Sequence, residues 1–286
     1  MSPHRAPPET HTFLPSRRRA SGAWRKWAPL LLLALGGCGL RHHDEEISPL
    51  DQAINDAEAL FSRRAVSAAE LDKCIEAWRT ALSMSASDPR VLAGLARAYT
   101  ARAYGYGLPD PAGDYEIAKV YAWSCMMQDP GFSARVIAEG GRLTERAARL
   151  LGERFRPCLE GYVVAGLRWV EVRGPAAALD LSMLNTLAHR ADEPGTAASP
   201  WIGPWAIAMV IALTPDPKLR DVTAMETEFA RAEAALPELW MMTADHMSYA
   251  PILDEARWMA LMDRRPSGDW ELENSAALAR LKGLKH

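Results

Sequence analysis

The chain has 286 residues, 49% hydrophobic, 24% charged and 8% aromatic. That is the make-up of a folded globular protein with apolar material for one large domain or two smaller ones, and it excludes a disordered, collagen-like or disulfide-dense chain. The net charge of −3 divides unevenly: residues 1–37 carry Arg5, Arg17, Arg18, Arg19, Arg25 and Lys26 against Glu9 alone, so the rest of the chain is distinctly acidic. Nucleic-acid binding is dominated by Lys and Arg neutralising phosphates, which argues against DNA or RNA as a partner.

The first element in chain order is an address. Basic residues precede an apolar run at 28–35, which exits through Gly36, Gly37, Cys38 and Gly39. A basic segment, a short apolar core and small exit residues make a secretory signal, and the core is too short for an ordinary spanning helix. Leu35, Gly36, Gly37 and Cys38 resemble the lipobox of bacterial lipoproteins. The resemblance implies cleavage before Cys38, a diacylglycerol thioether on its sulfur and acylation of the new amino group. Three acyl chains, at about 0.8 kcal/mol per buried methylene, hold a protein to a bilayer. Gly39 rather than aspartate after the cysteine favours the outer membrane. Arg41, His42, His43, Asp44, Glu45 and Glu46 then read as a solvated tether. The expected organisation is a signal peptide over 1–37, a lipidated tether over 38–48 and an all-helical domain over 49–286.

Strand signals are almost absent from the mature chain. Apolar residues recur three and four apart between helix caps. Pro49 suits the first turn of a helix through Leu60, and Ser67 with Glu70 forms a capping box for a helix to about Met84. Asp88 and Pro89 start a third helix to about Tyr104. The glycines and prolines of 105–113 demand a loop, after which Asp114 caps a fourth helix that ends at Asp129, Pro130 and Gly131. Further helices are expected at roughly 133–155, 158–173, 175–191, 204–213, 221–235, 238–250, 252–264 and 270–282.

The spacing also carries a repeat. In the tetratricopeptide helix pair, small residues at fixed positions let two helices approach while bulky ones fill the groove to the next pair. Cys74, Trp78 and Ala81 fit the second helix of one unit. Leu92, Leu95, Ala96 and Tyr99, then Ala118, Ala122, Cys125 and Pro130, fit a second unit with about ten residues inserted between its helices, and Phe229, Ala232 and Pro237 fit a third. The fold class expected is therefore all-α, stacked helix hairpins of tetratricopeptide-like kind, an α-solenoid, with a non-repeating helical bundle as the alternative.

With Cys38 lipidated, Cys74, Cys125 and Cys158 remain. One disulfide plus a free thiol and three buried thiols are both open, and no spacing suits zinc. The helical phases make Cys74 and Cys125 small core residues. The segment 157–170 is apolar around most of its circumference, so it is buried on several sides or meets a partner or apolar ligand. Trp78 and Trp123 fall at helix-packing positions. Tyr162, Trp169, Trp201 and Trp205 are the candidate binding residues of a concave surface.

The layout resembles a known family, the TatT component of TRAP-type (tripartite) transporters. The resemblance rests on the lipobox at Cys38, on the early pairs ending at Asp88 and Pro89 and at Asp129 and Pro130, on the helix from Tyr162 through Trp169 to Gly174, and on the late block from Phe229 to Pro237 followed by Ala244, Tyr249, Asp254 and Leu261. It covers roughly residues 50–265. It implies a homo-oligomeric, trimeric helical lipoprotein that docks a periplasmic solute-binding protein and offers an apolar cavity to a ligand.

Catalytic signatures are missing: no nucleophile elbow, zinc-binding H-E-x-x-H, phosphate loop or dinucleotide turn occurs. Asp245, His246 and Ser248 hold the letters of a triad, but on one helix they point in different directions. The expectation is a non-enzymatic protein without metal or cofactor, anchored at the periplasmic face of the outer membrane. The alternative is an envelope scaffold of the same fold serving outer-membrane assembly or secretion.

Overall fold

Among the described residues most α-helices start on a side-chain oxygen, and four of them continue with proline at the first position. In the computed structural model, which describes residues 47–193, 199–250 and 254–284, Ser48 caps α1 (Pro49–Phe61) and Ser67 caps α2 (Ala68–Met84). Asp88 caps α3 (Pro89–Gly105), Asp110 caps α4 (Pro111–Met126) and Asp129 caps α5 (Pro130–Ala138). Each side chain accepts from backbone N–H groups that have no partner within their helix, and a proline at the first position gives up no hydrogen bond. The chain continues as α6 (Glu145–Ala148), α7 (Arg156–Arg173), α8 (Leu181–Asp192), α9 (Ile202–Leu213), α10 (Val222–Ala235), α11 (Trp240–Tyr249), α12 (Glu255–Met262) and α13 (Glu271–Gly283). Among the described residues there is no strand.

Three boundaries differ from the sequence expectation. The fourth helix opens at Pro111 rather than after Asp114, and Asp114 lies within it, its two carboxylate oxygens each 2.7 Å from Arg102 nitrogens. The single helix expected over 133–155 is broken, because Gly140 and Gly141 adopt φ of 72° and 78°. That left-handed backbone ends α5, and only one turn (α6) and a 3-10 turn (Glu153–Phe155) follow before α7. Residues 174–180 form a 3-10 segment rather than the start of α8, entered through Gly174 at φ 68°. The signal peptide, Cys38 and the tether as far as residue 46 lie outside the described residues.

Successive helices pair antiparallel and the pairs stack: α1 with α2, α3 with α4, α7 with α8, α9 with α10, and α11 with α13. The first helices of neighbouring pairs also touch, α1 to α3, α3 to α7, α7 to α9 and α9 to α11, so they line the inside of the stack. The tetratricopeptide positions are where that packing happens. Cys74, Trp78, Ala81, Leu95, Ala96, Ala118, Ala122, Phe229 and Ala232 are all fully buried. Gly94 is required at its place: a β-carbon there would lie 2.4 Å from the Trp78 indole.

Cys125 on α4 and Cys158 on α7 are joined in a disulfide, 33 residues apart, and Cys74 is a free, buried thiol. Of the two cysteine arrangements open from sequence, one disulfide plus one thiol is the one present, and Cys125 is therefore more than a small core residue. Burial pushes the Cys74 thiol up to about 11, which makes it inert as a nucleophile.

The stack curls until its end meets its beginning. α13 packs on α3, with Leu272 against Gly105. Arg64, just after α1, sends Nε and Nη2 to the Glu273 carboxylate at 2.9 and 3.0 Å and also donates to the Asp269 carbonyl. Tyr106 donates to the Arg64 carbonyl from the other side.

A candidate binding cavity inside the helix curl

The inner helices α3 and α7 run parallel. A β-carbon on Gly161 would meet that of Ala96 at 3.4 Å, and seven residues further along α7 the Arg168 guanidinium carbon lies 4.8 Å from the centre of the Tyr104 ring, eight residues along α3. Steps of seven and eight are two helical turns, so each helix presents one straight stripe to the other. On α3 the stripe includes Arg90, Ala93, Gly94, Arg97, Ala101 and Tyr104, and on α7 Pro157, Glu160, Gly161, Val164 and Arg168. Ala93, Gly94, Ala101 and Gly161 keep the stripes low between their longer charged side chains, which leaves space beside them.

That space is a cavity of about 870 Å³, well within the range of small-molecule sites. Its remaining walls are Trp201 and Ile202 where α9 begins, Leu236 at the end of α10, Leu239 and Met241 at the start of α11, and Trp270 and Glu273 at the start of α13. The lining is mostly apolar, with charged groups set around it. Arg97 pairs with Glu58, Arg64 with Glu273, and Arg90 with Asp88 and Asp51. Glu160 accepts from the Ser199 amide at 2.8 Å and from its hydroxyl, while burial raises its pKa.

The four candidate aromatics fall in different places. Trp201 lines the cavity and packs edge-on against Trp205, ring centres 5.9 Å apart. Trp205 is fully buried behind that wall, its indole N–H donating to Asp245 at 2.8 Å. Tyr162 packs against Trp123 on a different side of α7, and Trp169 lies under the Lys119 ammonium, 3.8 Å from its ring. The structure therefore brings Trp201 and Trp205 together and leaves Tyr162 and Trp169 away from the cavity.

Beneath the cavity wall lies a buried ion cluster. Arg168, 1% exposed, is held by Asp245 through both terminal nitrogens at 2.9 and 2.6 Å and gives Glu171 a further bond at 2.7 Å. Arg280 donates to Glu171, and Tyr249 does so at 2.7 Å. Burial alone would raise the Glu171 carboxyl, but the two guanidiniums outweigh it and hold the group at about 2. Two cations meet two anions, so the cluster carries no net charge. Of the triad letters, Asp245 and Ser248, three apart on α11, both meet Arg280, Asp245 at 3.4 Å and the Ser248 hydroxyl accepting from its Nε at 3.1 Å, whereas His246 turns away to face Glu233 and stacks on Phe229.

Of the lining residues, Tyr104 flanks, with Tyr106 and Tyr115, a loop that sequence reasoning treats as a binding candidate, whereas Arg168 and Trp270 carry no binding role in that reading. Their signals were present but indirect. Arg168 falls within the apolar stretch of α7 between Glu160 and Glu171, which implies a buried partner, and Tyr104 ends a three-and-four-spaced run of small residues. No protein-family model matches this chain, and no curated protein is similar to it in sequence.

Proposed function

We propose that this protein is an envelope lipoprotein of the TatT kind, which works by recognition rather than catalysis. In this reading Cys38 carries the lipid anchor at the periplasmic face of the outer membrane. The helix curl holds an apolar small molecule, and an outer surface docks a periplasmic solute-binding protein as part of a tripartite uptake system. By the same resemblance the chain assembles as a homotrimer.

The observation that carries this reading is the cavity: a mostly apolar, half-open space inside a helix stack, walled by small residues and indoles, has the size and lining of a small-molecule site. Two further points support it. The Cys125–Cys158 disulfide suits an oxidising compartment such as the periplasm, and no helix among the described residues is long and apolar enough to cross a membrane, so attachment through Cys38 would serve where a span does not. The test is purification of the cross-linked full-length chain from membranes of cells fed labelled palmitate. The expected result is label on wild type, none on Cys38→Ser, and a co-purifying solute-binding protein. Repeated recovery of outer-membrane assembly or secretion proteins in its place would move the assignment to an envelope scaffold.

A further inference from the structure

The ion pairs around the cavity leave one carboxylate out. Glu58 and Glu273 each hold an arginine, and Asp269 is exposed to water. Glu160 lines the same space and is half-buried, yet among the described residues no cation comes within ion-pair distance of it. Arg156, one turn earlier on α7, is the guanidinium whose charge it feels, but that group donates to the Arg190 carbonyl and its Nε and Nη2 meet no acceptor. Glu160 holds only Ser199, whose amide reaches Oε1 at 2.8 Å and whose hydroxyl reaches Oε2 at 3.3 Å. A carboxylate has about four lone-pair positions, so about half of them are free. Trp201 lines the cavity two residues after Ser199, which brings an indole to the same end.

We propose that this end of the cavity binds an organic cation, a protonated amine on an apolar body, with Glu160 as its counter-ion and Trp201 beside it. This rests on the reading of the cavity as a ligand site and adds to it the chemistry of the ligand's polar end. An ammonium takes the free lone pairs of a carboxylate in charge-assisted hydrogen bonds and is drawn to the face of an indole. Burial raises the Glu160 carboxyl above its ordinary pKa, the cost of a charge with little water around it, and a bound cation offsets that cost. An anionic head finds less. Arg64, Arg90, Arg97 and Arg168 already face carboxylates, and Arg154 is exposed and lies over the Phe155 ring. The ligand's body follows from the stripes. From Glu160 to Arg168, α7 runs about 12 Å at 1.5 Å per residue, with Gly161 and Val164 on that stretch and Ala101 on the facing stripe. An unbranched alkyl chain fits beside such short side chains.

The reporter is diphenylhexatriene, an uncharged apolar rod that fluoresces only out of water, bound to the full mature chain at pH 7. It is displaced with dodecylamine, dodecanol and dodecanoate, which share one alkyl chain and differ in charge, and each is also titrated by calorimetry. The expected result is an amine that binds about 10- to 100-fold better than alcohol or acid, the worth of a charge-assisted hydrogen bond. Glu160→Gln keeps an acceptor for the Ser199 amide and loses the charge. It brings the amine down to the level of the alcohol and leaves the alcohol unchanged. Its thermal midpoint stays level or rises, because the charge removed had no counter-ion. Equal binding of amine and alcohol, or an amine preference that survives in Glu160→Gln, overturns the proposal while the apolar cavity stands. Preference for the acid overturns the cationic assignment. Binding of neither the reporter nor any of the three removes the cavity reading and the proposal together.

Discussion

Asp245 shows how one residue can be misread from its letters and understood from its contacts. Beside His246 and Ser248 it suggests chemistry, but its two oxygens are spent on Arg168 and the Trp205 indole. Glu171 is the titratable member of the same cluster with a testable consequence. Its carboxyl is held at about 2, below the usual 4.5. A depressed carboxylate adds stability that is complete above its ordinary pKa and is lost as pH falls toward the folded value. That contribution is expected to be present at neutral pH and lost as the pH falls below the ordinary carboxylate range. Denaturant titrations at pH 7 and pH 3 are expected to show wild type losing this stability and Glu171→Gln, already less stable at neutral pH, losing much less of it. An acid limb of the same depth in both would place the effect elsewhere.

Helix starts were legible from local chemistry because a cap acts on the N–H groups next to it. Ser67 and Asp88 cap the helices expected of them, while Asp129, read as the end of the fourth helix, caps α5 instead. Helix interruptions were less legible: Gly140 and Gly141 on paper are two weak positions in a long helix, and only their left-handed backbone ends it. The disulfide is also an element-scale feature, since it staples α4 to α7 across the segment holding α5 and α6. Closing a loop of 33 residues restricts the unfolded chain by about 3–4 kcal/mol. Reduction, or Cys125→Ala with Cys158→Ala, is expected to lower the unfolding free energy by that amount, and the denaturation midpoint with it, while circular dichroism keeps its helical form. Reductant that leaves the midpoint unmoved would show that the bond is not formed in the protein.

At the scale of the whole molecule, the closure of the stack decides whether there is a cavity or an open groove. It depends on Arg64, buried and bound to Glu273 and the Asp269 carbonyl, and on Leu272 fitted against Gly105. The terminal helices also keep a small core of their own, Trp240, Ala244, Met247, Leu261, Ala277, Leu278 and Leu281, so they can loosen from α3 without dissolving. Removing one partner of a buried ion pair strands the other charge. Glu273→Ala is therefore expected to speed amide exchange in α13 and the end of α3 at least tenfold, with α8 and α9 still protected. Uniform acceleration along the chain would mean that the closure is not a separate event.

The amino-acid sequence by itself determined the all-helical class, the capped starts of α2 and α3 and which faces of the helices pack, because capping, periodicity and small-residue spacing act over one or two turns. The cysteine pairing, the ion cluster joining α7, α11 and α13, and the cavity required the tertiary structure. Residues such as Tyr104, Arg168 and Trp270 are far apart in the chain, and what each of them does is set by the partner that the curl of the stack brings to it.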